Sequence, residues 1–250
     1  MIDLSKITKN NRALFLAYDQ GLEHGPAEFN DKNIDPNYIL NIGVKCGFNA
    51  VVLHKGVAEK YYLGTSFQKN LPLILKLNGK TNLSKNEPLS LQVCSVSEAV
   101  ELGAAAVGYT VYVGSKHEPK MLQEFGKIVE EAHHYNLPAI GWMYPRGGNV
   151  NPDDPKTIAY AARVGLEIGA DMVKVRYGGD FLTTKRIVEA AGACKVIVAG
   201  GIKTEENAFL ETAKIVIRAG ATGMAVGRNI WQSENPEILA EKIKKIVFGV

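Results

Sequence analysis

Short apolar runs recur along this chain, and amphipathic stretches separate them from end to end. Eight runs read as strands, at 13–19, 50–55, 72–78, 105–111, 138–145, 171–177, 194–202 and 223–230. They are rich in the β-branched and apolar residues that suit a buried pleated surface. Helical patterns lie between them. The longest, 118–135, places Met121, Phe125, Ile128, Val129 and Ala132 on one side, and 156–168, 209–219 and 238–247 follow the same style. The hydrophobic period shifts from two to near 3.6 at each junction. Parallel strands need a long crossover between them, so this alternation commits the chain to a parallel sheet. An α/β chain of 250 residues fits one (β/α)8 TIM barrel, a single domain over residues 1–250. A doubly wound open sheet is the alternative. No G-x-G-x-x-G follows the first strand, which weakens its dinucleotide-binding form.

Finer signals can be placed on this frame. Ser95 with Glu98 three residues on has the form of a capping box. Thr204, followed by Glu205 and Glu206, reads as a helix start with acidic residues at the positive end of the dipole. The polar, turn-rich segment 78–88 reads as a surface loop.

A barrel of this kind carries its chemistry at the carboxyl ends of its strands. Polar and glycine-rich residues gather there: Tyr18-Asp19-Gln20-Gly21, His54-Lys55-Gly56, Trp142 to Gly148, Lys174 with Arg176, Ala199-Gly200-Gly201 and Gly227-Arg228-Asn229. The stretch ADMVKVRYGG is the most informative. Alternation along a strand puts Lys174 and Arg176 on one face and Val173 and Val175 on the other. Two cations on one face of a buried strand are costly unless that face opens on a polar site. A lysine between apolar walls with a second cation beside it is expected to titrate low, which would leave it nucleophilic toward a carbonyl. An exposed edge-strand end with two ordinary basic residues fits the same pattern.

Gly200, Gly201, Gly227 and Arg228 follow the last two strands, where phosphate sites recur in such barrels. Backbone N–H groups and the Arg228 guanidinium suit an anion, although tight βα turns also favour glycine. Trp142 and Tyr144, two apart, face the same way. The tyrosine hydroxyl can move a proton and the tryptophan can wall a pocket, or both can be core. Asp19 suits proton transfer during carbinolamine formation, and a turn aspartate capping its own backbone fits equally. His24 stands in a loop, and His133 and His134 on the polar side of the long helix.

The 29 basic residues nearly balance 26 acidic ones, without a basic stripe interleaved with aromatics, so nucleic acid is an unexpected partner. Cys46, Cys94 and Cys194 are odd in number and far apart, which fits free thiols in a cytoplasmic protein. No apolar run is long enough to span a bilayer, so no membrane partner is expected. Histidines and carboxylates do not cluster with zinc spacing, so neither a metal nor another cofactor is expected.

Together AYDQGLEHGP, GWMYPRGG, ADMVKVRYGG, VAGG and AVGRNIWQ resemble the archaeal-type class I fructose-bisphosphate aldolases, in the wider DeoC/FbaB-like family of Schiff-base barrels. The resemblance implies metal-independent, reversible cleavage of fructose 1,6-bisphosphate to dihydroxyacetone phosphate and glyceraldehyde 3-phosphate. By motif it makes Lys174 the Schiff-base lysine, Tyr144 the proton donor and Asp19 the acidic residue after the first strand. It makes Gln20, His24, Trp142, Arg146, Arg176, Ala199, Gly200, Gly201, Gly227 and Arg228 contacts for a sugar phosphate, and it implies a ring-type homo-oligomer. Arg176 stands where many relatives have a lysine, which keeps the charge but not the geometry. A 2-amino-3,7-dideoxy-D-threo-hept-6-ulosonate synthase, another sugar-phosphate aldolase or transaldolase, and a non-catalytic sugar-phosphate sensor are the alternatives.

Overall fold

The computed structural model describes residues 2–249. Eight parallel strands close into a barrel: β1 (Ala13–Ala17), β2 (Ala50–His54), β3 (Leu73–Lys76), β4 (Ala106–Val113), β5 (Ala139–Pro145), β6 (Met172–Val175), β7 (Lys195–Ala199) and β8 (Gly223–Val226). Each pairs with its neighbours in sequence, and β1 pairs with β8 in the register Ala13↔Gly223 to Leu16↔Val226. Helices return the chain outside: α1 (Pro36–Lys45), α2 (Ser66–Asn70), α3 (Val96–Glu101), α4 (Glu118–His134), α5 (Pro155–Ile168), α6 (Phe181–Ala190), α7 (Glu206–Arg218) and α8 (Pro236–Phe248). Among the described residues no helix is long and apolar enough to cross a membrane.

Side-chain alternation builds two apolar layers. One face of each strand packs against the helices, as Val173, Val175, Met143 and Val198 do. The other face fills the barrel with Phe15, Val52, Ile74, Ile140, Met172, Ile197 and Ala225. Ile7, ahead of β1, is fully buried in that interior cluster and plugs its amino-terminal end. The interior turns polar only toward the carboxyl ends of the strands, where Lys76, Thr110 and Lys174 are buried. The barrel of the sequence reading is present, with strand ends that differ in telling ways.

The expected strands at 171–177, 194–202 and 223–230 stop early, at Val175, Ala199 and Val226. Arg176 therefore leaves the strand and does not share a face with Lys174. It sits 40 % exposed and pairs with Asp153 at 2.6 Å. β4 runs two residues past its expected end, and this brings Tyr112 into register with Tyr144. Segment 78–88 is not simply a surface loop: Asn78 is fully buried, and Asn78–Gly79 pairs with Leu91–Gln92 in a small antiparallel ribbon. Ser95 does accept from the Glu98 N–H, but the Glu98 carboxylate turns to Lys55 at 3.0 Å rather than back to the cap. α7 starts at Glu206, and the Thr204 N–H donates to Asn229 instead. His133, on the polar side of α4, meets the Asp171 carboxylate through its Nε2 at 2.9 Å.

Candidate active site

The site grows from one rung of the barrel. Strand register places His54 beside Lys76, Lys76 beside Gly108, and Trp142 beside Lys174. Gly108 makes room for the tryptophan: a Cβ there would lie 2.1 Å from the Trp142 ring. The ring is 3 % exposed and carries two ammonium groups, Lys174 Nζ at 5.0 Å and Lys76 Nζ at 5.8 Å from its centroid. Cations at that range are attracted by the ring quadrupole, which partly replaces lost hydration.

Asp19 completes the rung from the turn after β1. Its carboxylate does not cap the short helix Gln20–His24 that follows. Burial pushes the Asp19 carboxyl up, but Lys174, Lys76 and His54 together outweigh burial and hold it below its ordinary value. His54 is pushed down to about 4 by burial and by Lys76, so it is neutral at pH 7. Its Nε2 lies 3.1 Å from the Asp19 carbonyl, which only accepts, so Nε2 carries the proton. Lys76 falls to about 8, mainly through burial, with Asp19 and Glu23 opposing.

Lys174 behaves differently from the sequence expectation. Burial does press its pKa down, yet Tyr144, Asp19 and Glu23 outweigh burial and the net direction is up. Arg176, the cation expected to lower it, points away to Asp153. The Tyr144 phenol is kept protonated by burial and by Asp19 and Glu23, against the opposing pull of Lys174. The resting site is therefore an ammonium held between a neutral phenol and a carboxylate. A nucleophilic amine arises when that proton passes to a neighbour.

Around this centre lie two charged clamps. On one side Glu23 accepts from Arg146 Nη1 and from the Tyr112 hydroxyl, both at 2.8 Å, and the guanidinium stacks 5.1 Å from the Tyr112 ring centroid. Beyond it a cleft of about 420 Å³ runs between the loops after β3 and β5, with Lys85, Glu87, Arg146 and Arg176 on its walls. On the other side Glu28 takes Arg228 Nη1 at 2.7 Å and His24 Nδ1 at 2.9 Å. The Asn229 amide donates to the carbonyls of Gly200 and Ile202, both at 2.9 Å, tying the β7 loop to the β8 turn.

The site residues expected from sequence come together unevenly. Lys174, Tyr144, Asp19 and Trp142 lie together at the carboxyl end of the barrel. Gln20 adds a side-chain N–H without a partner among the described residues. Arg146 and Arg228 flank the mouth, each already paired. His24 reaches it through Glu28, and Arg176 only borders the outer cleft. Ala199 ends β7 at the mouth. Gly200 spends its N–H on the Ala225 carbonyl at 2.8 Å, so that donor is not available to an anion. Gly201, at φ +71°, and Gly227 remain at the turns. Sequence reasoning gave no role to Lys76, Glu23, Tyr112 and Glu28, and noted Asn229 only as part of a strand end. Lys76 carried the same signal as Lys174, a lone cation in an apolar run.

Residues 13–233 match the model of the DeoC/LacD family aldolases. The chain is 48 % identical to the class 1 fructose-bisphosphate aldolase of Thermoproteus tenax over 245 residues, 96 % of this chain and 91 % of that protein. It is 42 % identical to the class 1 enzyme of Halobacterium salinarum over 247 residues, 98 % and 93 % of the two chains. Among solved structures it resembles an archaeal fructose-1,6-bisphosphate aldolase whose catalytic lysine is covalently bound to the carbinolamine intermediate. That match has a TM-score of 0.93, 46 % identity, and covers 98 % of this chain and 97 % of that one. The fructose-bisphosphate aldolase of Slackia heliotrinireducens follows at 28 % identity and TM-score 0.85, covering 96 % and 86 %.

Proposed function

The chain belongs to the DeoC/LacD aldolase family, and we infer from that membership that it is a class I lyase cleaving fructose 1,6-bisphosphate reversibly. One observation carries the reading: a buried lysine at the end of β6, flanked by a protonated phenol and a carboxylate. Lys174 gives up its proton and its amine attacks the C2 carbonyl. The carbinolamine loses water and leaves an iminium. The iminium draws the C3–C4 bonding electrons as a base takes the C4 hydroxyl proton. Glyceraldehyde 3-phosphate departs, and the enamine accepts a proton at C3 from Tyr144. Water then releases dihydroxyacetone phosphate and the free lysine. Asp19 exchanges protons in the carbinolamine steps.

The phosphate of the ketone half is assigned to Gly201, Gly227 and Arg228, with Trp142, Gln20 and Arg146 around the sugar. The whole of 1–250 acts as one catalytic domain. Sugar phosphates are its partners, the cytoplasm its compartment, and a homo-oligomer its assembly. Iminium chemistry supplies the electron sink, so the reading calls for no metal. A panel of phosphorylated sugars assayed with chelator present tests it. Fructose 1,6-bisphosphate should be cleaved at an undiminished rate. Chelator-sensitive cleavage, or cleavage of a different ketose only, would overturn the reading.

A further inference from the structure

A second buried lysine stands in the barrel mouth with no step assigned to it. Lys76 is 4 % exposed, and its ammonium donates to the Asn78 carbonyl at 2.7 Å and to Asn78 Oδ1 at 2.6 Å. Asn78 is itself fully committed. Its Oδ1 also accepts from the Thr110 N–H at 2.8 Å, and its amide donates to the carbonyls of Ser90 at 3.0 Å and Thr110 at 2.8 Å. An ammonium with no ion-pair partner in contact is among the costliest groups to bury. Both groups that hold it are neutral, and the nearest anions, Asp19 and Glu23, act on it only through space. A folding role alone would be served better by an apolar side chain in this rung.

We propose that Lys76 is a positioning residue for the reaction: Asn78 pins its ammonium beside the Trp142 ring, from where its charge acts across the rung on the Asp19 carboxylate next to Lys174. This rests on the aldolase reading of the same site. The surrounding charges make the device work. Lys174, His54 and Lys76 face Asp19, while Asp19 and Glu23 face Lys76. Tyr144 stands across Lys174, and Arg146 neutralises Glu23. When Lys174 releases its proton on the way to the carbinolamine, one of the cations opposite Asp19 is lost. Lys76 remains and keeps Asp19 an acceptor rather than a carboxylic acid.

Three variants test this: Lys76→Met, Lys76→Gln and Lys76→Arg, each followed by thermal melting, borohydride trapping and pH profiles of kcat/KM. The wild type is assayed first, and failure of wild-type cleavage would fault the aldolase reading rather than this proposal. Lys76→Met and Lys76→Gln should fold. At pH 7 Lys76→Met should melt no lower than wild type, because a buried charge has been removed. Their kcat should fall at least tenfold with little change in KM. Their acid limb should move to higher pH, because losing a nearby cation raises the pKa of both Asp19 and Lys174. Lys76→Arg, which keeps the charge, should retain the wild-type acid limb. An unshifted acid limb in the neutral variants would overturn the proposal. So would failure of both neutral variants to fold, since Lys76 would then be a structural residue.

Discussion

Lys174 must be a free amine to react, yet its charged surroundings, Asp19 and Glu23 among them, strengthen its hold on the proton. Below that raised pKa the neutral fraction grows about tenfold per pH unit, so trapping by borohydride with dihydroxyacetone phosphate should accelerate from pH 6 to 9. A flat rate over that window would mean the amine is already free. Replacing Tyr144 by Phe should leave the adduct on Lys174 but slow turnover about 10²–10⁴-fold, the usual worth of a positioned acid. Turnover close to wild type would move the proton step to another group. Truncating Arg228 to Ala removes a charge-assisted bond of about 1.5–3 kcal/mol. The loss should appear in KM for phosphorylated substrates only. An equal loss on unphosphorylated sugars would reduce Arg228 to the structural partner of Glu28. At this scale the sequence was readable where a residue breaks an apolar pattern, as Lys174 does between Val173 and Val175. It was misread where partners come from distant turns. Nothing near Arg176 in the chain announces Asp153, and nothing near Arg228 announces Glu28, because ion pairs across loops leave no local periodicity.

Among the elements, β4 and the seam between β1 and β8 depend on missing side chains. At Gly223 an added Cβ would fall 1.6 Å from the Ala13 carbonyl oxygen. Gly223→Ala should force the two strands apart and abolish the folded state, read as loss of the cooperative melt in circular dichroism. Retention of the wild-type melt would show that the seam can shift. Gly108→Ala is predicted to act more narrowly, by displacing the Trp142 ring. Its signature should be altered tryptophan fluorescence and slower turnover, with strand content preserved. Unaltered fluorescence would mean the ring has room to turn. Helices were the most readable elements. The buried side of α4 is the one its spacing implied, since a 3.6-residue period survives in any surroundings. Strand ends were the least readable. Apolar and β-branched residues run past the last ladder bond, and the point where pairing stops is set by the neighbouring strand. The polar composition of 78–88 suggested solvent, but Asn78 satisfies every polar atom of its amide inside the barrel, which composition cannot reveal.

For the molecule as a whole, the polar mouth sets a pH range of stability. His54 has its pKa depressed from 6.5 to about 4 in the folded state. Between those values the unfolded chain binds more protons, so stability falls as pH drops from about 6.5 toward 4. Asp19, held below its ordinary 3.8, adds a further loss at still lower pH. Denaturant midpoints from pH 7.5 to 4.5 should therefore decline, and His54→Asn should flatten the upper part of the curve. An equally steep decline in His54→Asn would assign the effect to other groups. The closed ring carries a different consequence for how the chain is made. Arg12 donates to the Ala221 carbonyl across 209 positions, next to the Ala13↔Gly223 register. Seven strands can line up as they leave the ribosome, each against the one before, but β1 has one side bare until β8 emerges. Closure is therefore a late event of high contact order, and the nascent chain exposes an unpaired strand edge for most of its synthesis. Ribosome-stalled chains ending before β8 should be readily captured by holdase chaperones and cut by protease, and both vulnerabilities should vanish together once residues 223–226 are clear of the tunnel.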